Sequence, residues 1–281
     1  MIRQRVDRRL IDPPFQRTKA GVAYRVFGRG EPLFLLHGGA GNWHHWVLNV
    51  DALSERFQVV AIDQPSYGDS DAVPWETPTQ DYLGYCFAAI SEISGEAERV
   101  HVAGFSFGGY IAAEMAVRLG DRAAALSMTG GAGYGPPDGR PFTLGSRKRL
   151  EDALGRSPTD DELTAMHREN LGKLMLWDQD RVDPWAVDMQ RRNVERTRFD
   201  SRRLSWADGT PDRVGRLSCP VMIVYGEHDA ACIPTIATRL DRCRAVNPNV
   251  VTHVIEDCGH WAMYEAPSIV NRLMLDFHGS A

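Results

Sequence analysis

An α/β fold built on one large, mostly parallel sheet is predicted by three observations. Short Val- and Ile-rich runs bounded by glycine recur along the chain, helix-patterned stretches separate most of them, and the runs are apolar nearly throughout instead of alternating. Parallel strands need crossovers, crossover helices cover both faces of the sheet, and strands covered on both faces keep no polar side. The length of 281 residues, with 43% hydrophobic and 25% charged, suits one large domain or one domain carrying an insertion.

The elements follow in order. The basic start (Arg3, Arg5, Arg8, Arg9) precedes no apolar run and no small-residue cleavage site, so it does not read as a secretory signal. GVAYRVFG (21–28), PLFLLHG (32–38), FQVVAID (57–63), RVHVAGFS (99–106), AAALSMTGG (123–131), PVMIVYGEHD (220–229) and VVTHVIEDCGH (250–260) read as strands. Helical spacing marks 79–95, 108–120 and 235–246. Residues 132–213 break the rhythm, with no convincing strand but two helix starts. In Ser157-Pro158-Thr159-Asp160 a serine is the expected N-cap, followed by proline at the first helical position, and Asp183-Pro184 repeats the pairing. The expected organisation is therefore a core of residues 1–131 and 214–281, with a helical lid of 132–213 inserted between two strands.

Composition excludes several classes of function. A net charge of -5 favours neither nucleic acid nor an anionic membrane as partner, and no apolar run reaches membrane-spanning length. Five cysteines (Cys86, Cys219, Cys232, Cys243, Cys258) form no C-x-x-C pair and are odd in number, which predicts reduced thiols and a cytoplasmic protein. His44 and His45 are adjacent, so their side chains diverge, and no metal or other cofactor is expected. The sequence allows a homo-oligomer.

The chemistry concentrates at Gly104-Phe105-Ser106-Phe107-Gly108, which fits G-x-S-x-G between a strand and a helix. A serine there is forced into a tight turn with its hydroxyl exposed, and the helix N-terminus behind it favours developing negative charge. Serine is a weak nucleophile at its free pKa and needs a base oriented by an acid. Asp229, just past a strand, and His260, after the last one, supply acid and base in the order Ser, acid, His. Glu227 and Asp257 are alternative acids. The LLHGGAGNW loop (35–43) offers the N–H of Gly39, or of Ala40 one residue on, beside that of Phe107 to hold an oxyanion. His37 reads as structural.

Ser106, Asp229, His260, the His37-Gly38-Gly39 loop and the DQPSYGDSD turn (63–71) resemble the α/β-hydrolase superfamily over essentially the whole chain. The resemblance implies that fold, a Ser-His-Asp triad and a small hydrophobic carbonyl substrate. A serine at the elbow sets the chain apart from the haloalkane dehalogenase and epoxide hydrolase branches, which use a carboxylate.

CGHWAMYEAP (258–267), with Trp261 after the histidine, is similar to the meta-cleavage-product hydrolases, which break a carbon-carbon bond in 2-hydroxy-6-oxo-dienoates during aromatic degradation. That group carries a lid arginine for the substrate carboxylate and dienol oxygens. Arg192 is the counterpart this resemblance suggests, on one helical face with Trp185, Met189 and Arg196. Two departures stand out: Ala40-Gly41-Asn42 where the group has a proline after the glycines, and Phe105 where it often has asparagine before the serine. A carboxylesterase or lactonase uses the same triad, and Phe142, Met175, Trp177 and Trp185 in the lid suit an apolar acyl or aryl group equally. A non-hydrolytic receptor or a cofactor-free oxygenase on this fold is a remote alternative.

Overall fold

The computed structural model describes residues 13–136, 142–232 and 235–281, so the basic start from Arg3 to Arg9 lies outside the described residues. Eight strands form one sheet: β1 (Gln16–Arg17), β2 (Ala23–Phe27), β3 (Pro32–Leu36), β4 (Gln58–Ile62), β5 (Val100–Phe105), β6 (Ala123–Thr129), β7 (Val221–Gly226) and β8 (Val251–Ile255). Their spatial order is β1-β2-β4-β3-β5-β6-β7-β8. β1 and β2 run antiparallel at one edge, while β3 to β8 are parallel. The seven expected strands are all present. β1 was not foreseen, because two polar residues leave no apolar period to read.

Parallel alignment brings the C-terminal ends of β3, β5, β7 and β8 to one edge of the sheet, with Leu36 opposite Gly104 and Gly226 opposite Ile255. The loops that leave this edge are the ones carrying the candidate residues. Successive side chains point to opposite faces. Leu33, Leu35, Val59, Ala61, Ala103 and Phe105 join a core with α1 (Val50–Ser54) and α11 (Pro267–Ser280). Phe34, Leu36, Val60, Ile62 and Val102 join the opposite core with α2 (Thr79–Ser94), α3 (Phe107–Leu119) and α9 (Ile236–Val246). Each large aliphatic or aromatic side chain so buried contributes roughly 1.5–3 kcal/mol.

Between β6 and β7 the chain makes α4 (Arg147–Leu154), α5 (Asp160–Leu174), α6 (Pro184–Glu195), α7 (Arg202–Ser205) and α8 (Thr210–Gly215). Asp183 caps α6 as expected, its Oδ1 accepting from the N–H groups of Trp185 and Ala186. For α5 the expected start is corrected. Thr159, not Ser157, is the N-cap, because Thr159 and Glu162 close a reciprocal capping box that Ser157 has no partner to match. α5 and α6 pack on each other, whereas α8 packs on α3 and α9, so residue 213 falls inside a helix that leans on the core. The five cysteines are buried and none forms a disulfide. Among the described residues no helix is long and apolar enough to cross a membrane.

Candidate active site

The turn from β5 into α3 is held open to one residue's hydroxyl by close backbone approach. A Cβ on Gly104 would stand 2.2 Å from the Gly108 carbonyl oxygen, and one on Gly108 would stand 2.3 Å from the Leu36 carbonyl oxygen. Glycine at both positions lets the helix start pack against β3 and β5. Ser106 takes the strain, at φ +51° and ψ −116°. Such a non-glycine conformation costs about 1–3 kcal/mol and persists only where its surroundings fix it. Here its N–H donates to the Thr129 carbonyl at 3.0 Å, and its carbonyl accepts from Gly109 and Ala132 at 2.9 and 3.0 Å.

Past β7, Asp229 is buried and divides its carboxylate between two donors. Oδ1 accepts from the Ala231 N–H at 2.9 Å, and Oδ2 lies 2.8 Å from Nδ1 of His260. That pairing fixes a proton on Nδ1 and leaves Nε2 as the basic nitrogen. Of the three acids weighed from sequence, Asp229 holds the imidazole, while Glu227 is exposed and accepts from the Asp257 N–H at 3.3 Å. The His260 loop is itself clamped. Gly259 N–H donates to the buried Glu265 carboxylate at 2.6 Å and Trp261 N–H donates to the Met175 carbonyl at 2.7 Å. Burial pushes the Glu265 carboxyl above its ordinary value.

After β3, Gly38, Gly39 and Ala40 turn over the elbow. Phe107 opens α3, so its N–H has no acceptor within the helix. Two buried imidazoles hold this loop. His37 lies between the Gly38 carbonyl at Nδ1 and the Gln64 N–H at Nε2. His45 accepts from the Gly38 N–H at Nδ1 and faces the Gln190 amide oxygen at Nε2. Burial holds both neutral, His37 down to about 4 and His45 to about 3. Gln190 also donates to the Ala40 carbonyl at 3.0 Å, tying α6 to the loop.

Ser106, His260, Gly39 and Phe107 line a single cavity of about 230 Å³. Leu144, Leu174 and Met175 from the segment between β6 and β7 roof it, and Ser201, Arg202, Ser205 and Arg239 add polar groups. Gly39, Ala40, Leu144, Leu174 and Met175 also border a second, mostly apolar chamber of about 370 Å³ beneath α5 and α6.

Two sequence expectations fall outside this space. Arg192 does share a face with Trp185, Met189 and Arg196, but that face borders a separate surface cavity, where Arg192 is exposed and paired with Asp188 at 3.0 Å. The residues α6 buries are Ala186, Val187, Met189, Gln190 and Asn193. Trp261 is fully buried, stacked on Tyr264 and donating from Nε1 to the His45 carbonyl at 2.9 Å, so it braces His45 and does not line the cavity. Sequence reasoning missed Gln190, Ser201, Arg202 and Arg239. Only Gln190 had a signal, its spacing with Ala186, Val187 and Asn193. Away from the cavity, Glu227, His228 and Asp257 bring ligand-type atoms within 4.8 Å of one another at the surface.

A profile of the alpha/beta hydrolase family matches residues 33–273. The chain belongs to that family. This α/β hydrolase is 28% identical over 270 residues to a 2-hydroxy-6-oxononadienedioate/2-hydroxy-6-oxononatrienedioate hydrolase of Paraburkholderia phymatum, covering 93% of this chain and 92% of the relative. Among solved structures, the meta-cleavage product hydrolase of Pseudomonas fluorescens IP01 superposes with a TM-score of 0.70 at 22% identity, over 93% of this chain and 96% of that one. Naproxen esterase of Bacillus subtilis gives 0.73 at 21%, over 94% and 90%. At such identities these two likenesses speak for the fold.

Proposed function

We propose that this chain is a serine hydrolase in which Ser106 attacks a carbonyl, His260 carries the proton and Asp229 orients the imidazole. The observation that carries the reading is the buried His260–Asp229 pair, at 2.8 Å, in the wall of the cavity that Ser106 also lines. His260 Nε2 takes the Ser106 proton as the Oγ–carbon bond forms, and the carbonyl electrons move onto oxygen. The N–H groups of Gly39 and Phe107 receive that oxyanion. His260 then protonates the leaving group, and water, deprotonated by the same imidazole, releases the acyl group from Ser106.

Residues 132–213 act in this reading as a lid, since Leu144, Leu174 and Met175 among them border both the cavity and the apolar chamber. We assign the substrate class as small hydrophobic carbonyl compounds, and within it a 2-hydroxy-6-oxo-dienoate cut at a carbon-carbon bond, in line with the names of the relatives. The dienol must first become a ketone, so that the departing carbon leaves as a stabilised dienolate. The relatives' substrates are dioates by name. The distal chamber here is walled by Leu163, Met166, Leu171 and Val194, with Arg147, His167, Asn170 and Gln190 also on its border, so it offers the far end of a substrate both apolar surface and polar donors.

A carboxylesterase or lactonase is the second reading, favoured by one observation: Phe105, apolar and buried, occupies the position before Ser106 and packs 4.8 Å from the His260 ring. Bleaching of a yellow 2-hydroxy-6-oxohexa-2,4-dienoate and its 6-phenyl analogue separates the two. Bleaching that Ser106→Ala abolishes supports carbon-carbon hydrolysis. Turnover of aryl esters without bleaching moves the assignment to the esterase, and full activity of Ser106→Ala overturns both.

A further inference from the structure

The cavity contains a hydroxyl that neither the triad nor the two backbone donors use. Ser201 precedes α7 and lines the same space as Ser106 and His260. A Cβ built on Gly39 would stand 2.4 Å from Ser201 Oγ and 3.8 Å from the Phe107 Cβ. Ser201 Oγ therefore fills the space that a side chain on Gly39 would take, directly beside one expected oxyanion donor and close to the residue that supplies the other.

Its segment is held firmly for a loop. Phe199, buried, stacks on Tyr82 with ring centres 4.2 Å apart, and the Phe199 carbonyl accepts from the Tyr67 hydroxyl at 3.2 Å. The Ser201 carbonyl accepts from the N–H groups of Leu204 and Ser205 and from the Ser205 hydroxyl. The Tyr67 hydroxyl that anchors Phe199 lies near the Ser201 hydroxyl. Tyr67 stays protonated because burial holds its phenol well above the ordinary range, so it steadies the Phe199–Ser201 segment through the Phe199 carbonyl without bringing charge. Phe105, before the nucleophile, offers no donor.

We propose that the Ser201 hydroxyl is a third donor to the oxyanion, resting on the reading of Ser106 as nucleophile. As the Ser106 Oγ–carbon bond forms and negative charge gathers on the former carbonyl oxygen, Ser201 O–H turns from Tyr67 toward that oxygen. It donates a hydrogen bond and transfers no proton. A donor aimed at charge that exists only in the transition state lowers the barrier without tightening ground-state binding.

The test is Ser201→Ala in the full chain, alongside Tyr67→Phe and the double variant. Three quantities are read: the rate of Ser106 labelling by a fluorophosphonate, the Ki of an aryl trifluoromethyl ketone that adds reversibly to Ser106, and the Kd of benzoate as a ground-state ligand. Ser201→Ala is expected to slow labelling and weaken the ketone by similar factors of about 10- to 100-fold, with benzoate unchanged. Tyr67→Phe should cost less, and the double variant should be no worse than Ser201→Ala alone, because Tyr67 acts through Ser201. Labelling and ketone binding that survive Ser201→Ala while Ser106→Ala loses both would overturn the role of Ser201 and leave Ser106 standing. A uniform loss that includes benzoate would assign Ser201 to shaping the cavity, which also overturns the proposal. Absence of labelling in the unmodified chain would remove the underlying reading and this inference with it.

Discussion

Asp229→Asn turns the shape of one hydrogen-bond pattern into a rate. The two carboxylate oxygens of Asp229 serve different donors, Ala231 N–H at 2.9 Å and His260 Nδ1–H at 2.8 Å. An asparagine has one acceptor for two donors. If its oxygen stays on Ala231, its NH₂ faces Nδ1, the imidazole proton moves to Nε2, and the base is blocked. If the amide flips, the imidazole keeps its productive tautomer but two N–H groups meet in a buried site, at about 1–3 kcal/mol. Either arrangement also loses the charge-assisted bond to the imidazolium, about 1.5–3 kcal/mol. Together these raise the barrier by about 2.5–6 kcal/mol, or roughly 10²- to 10⁴-fold at 1.36 kcal/mol per decade. Fluorophosphonate labelling of Ser106, followed by intact mass, measures this without knowing the substrate, and a thermal melt checks the fold. Labelling of a folded Asp229→Asn variant within about fivefold of the parent would refute the argument.

Further outcomes follow from the same geometry. Gly130 sits at φ +58°, and a Cβ there would press 2.9 Å from the His260 ring and 3.2 Å from Asp229 Oδ2. Gly130→Ala should therefore cost at least about tenfold in labelling rate, whereas Gly155→Ala, at φ +66° with nothing within 4 Å, should cost only stability, about 1 kcal/mol; equal activities in the two variants would contradict this. Acid should destabilise the fold early. His37, His45 and His278 are held by burial to about 4, 3 and 3, so below about pH 6.5 the unfolded chain takes up protons that the folded one refuses. Stability then falls with pH by up to about 1.4 kcal/mol per unit for each imidazole, which urea midpoints at pH 7.5 and 5.0 would reveal, and a flat profile would reject. Arg192→Ala should leave kcat and KM within about twofold, since exposed pairs such as Arg192–Asp188 contribute little. Trp261→Phe should cost about 1–3 kcal/mol of stability by orphaning the buried His45 carbonyl, with KM unchanged.

The chain's alternation of strand and helix was readable because burial on both faces makes each strand an unbroken apolar run, and the elbow was readable because close approach demands glycine on either side of Ser106. Asp229 was readable from its place just past β7, where the strand end points it at the same edge of the sheet as Ser106. Arg192 was misjudged for a physical reason. Helical period groups residues onto faces but does not say which face turns inward, and α6 is set by Ala186, Val187 and Gln190 against the core. Ser201 left no trace at all, since its position depends on Phe199 lodging against Tyr82, a contact 117 residues distant in sequence that no local pattern encodes.

Gln190 has a consequence for how such enzymes diversify. Its amide links Ala40 to His45, and His45 in turn holds Gly38, so three hydrogen bonds connect α6 to the backbone beside Gly39. Helix α6 is therefore not an interchangeable module that tunes which substrate enters. Transplanting it from a relative without its glutamine would slacken the loop proposed to receive the oxyanion, so on that reading specificity and catalytic power would drift together along this helix.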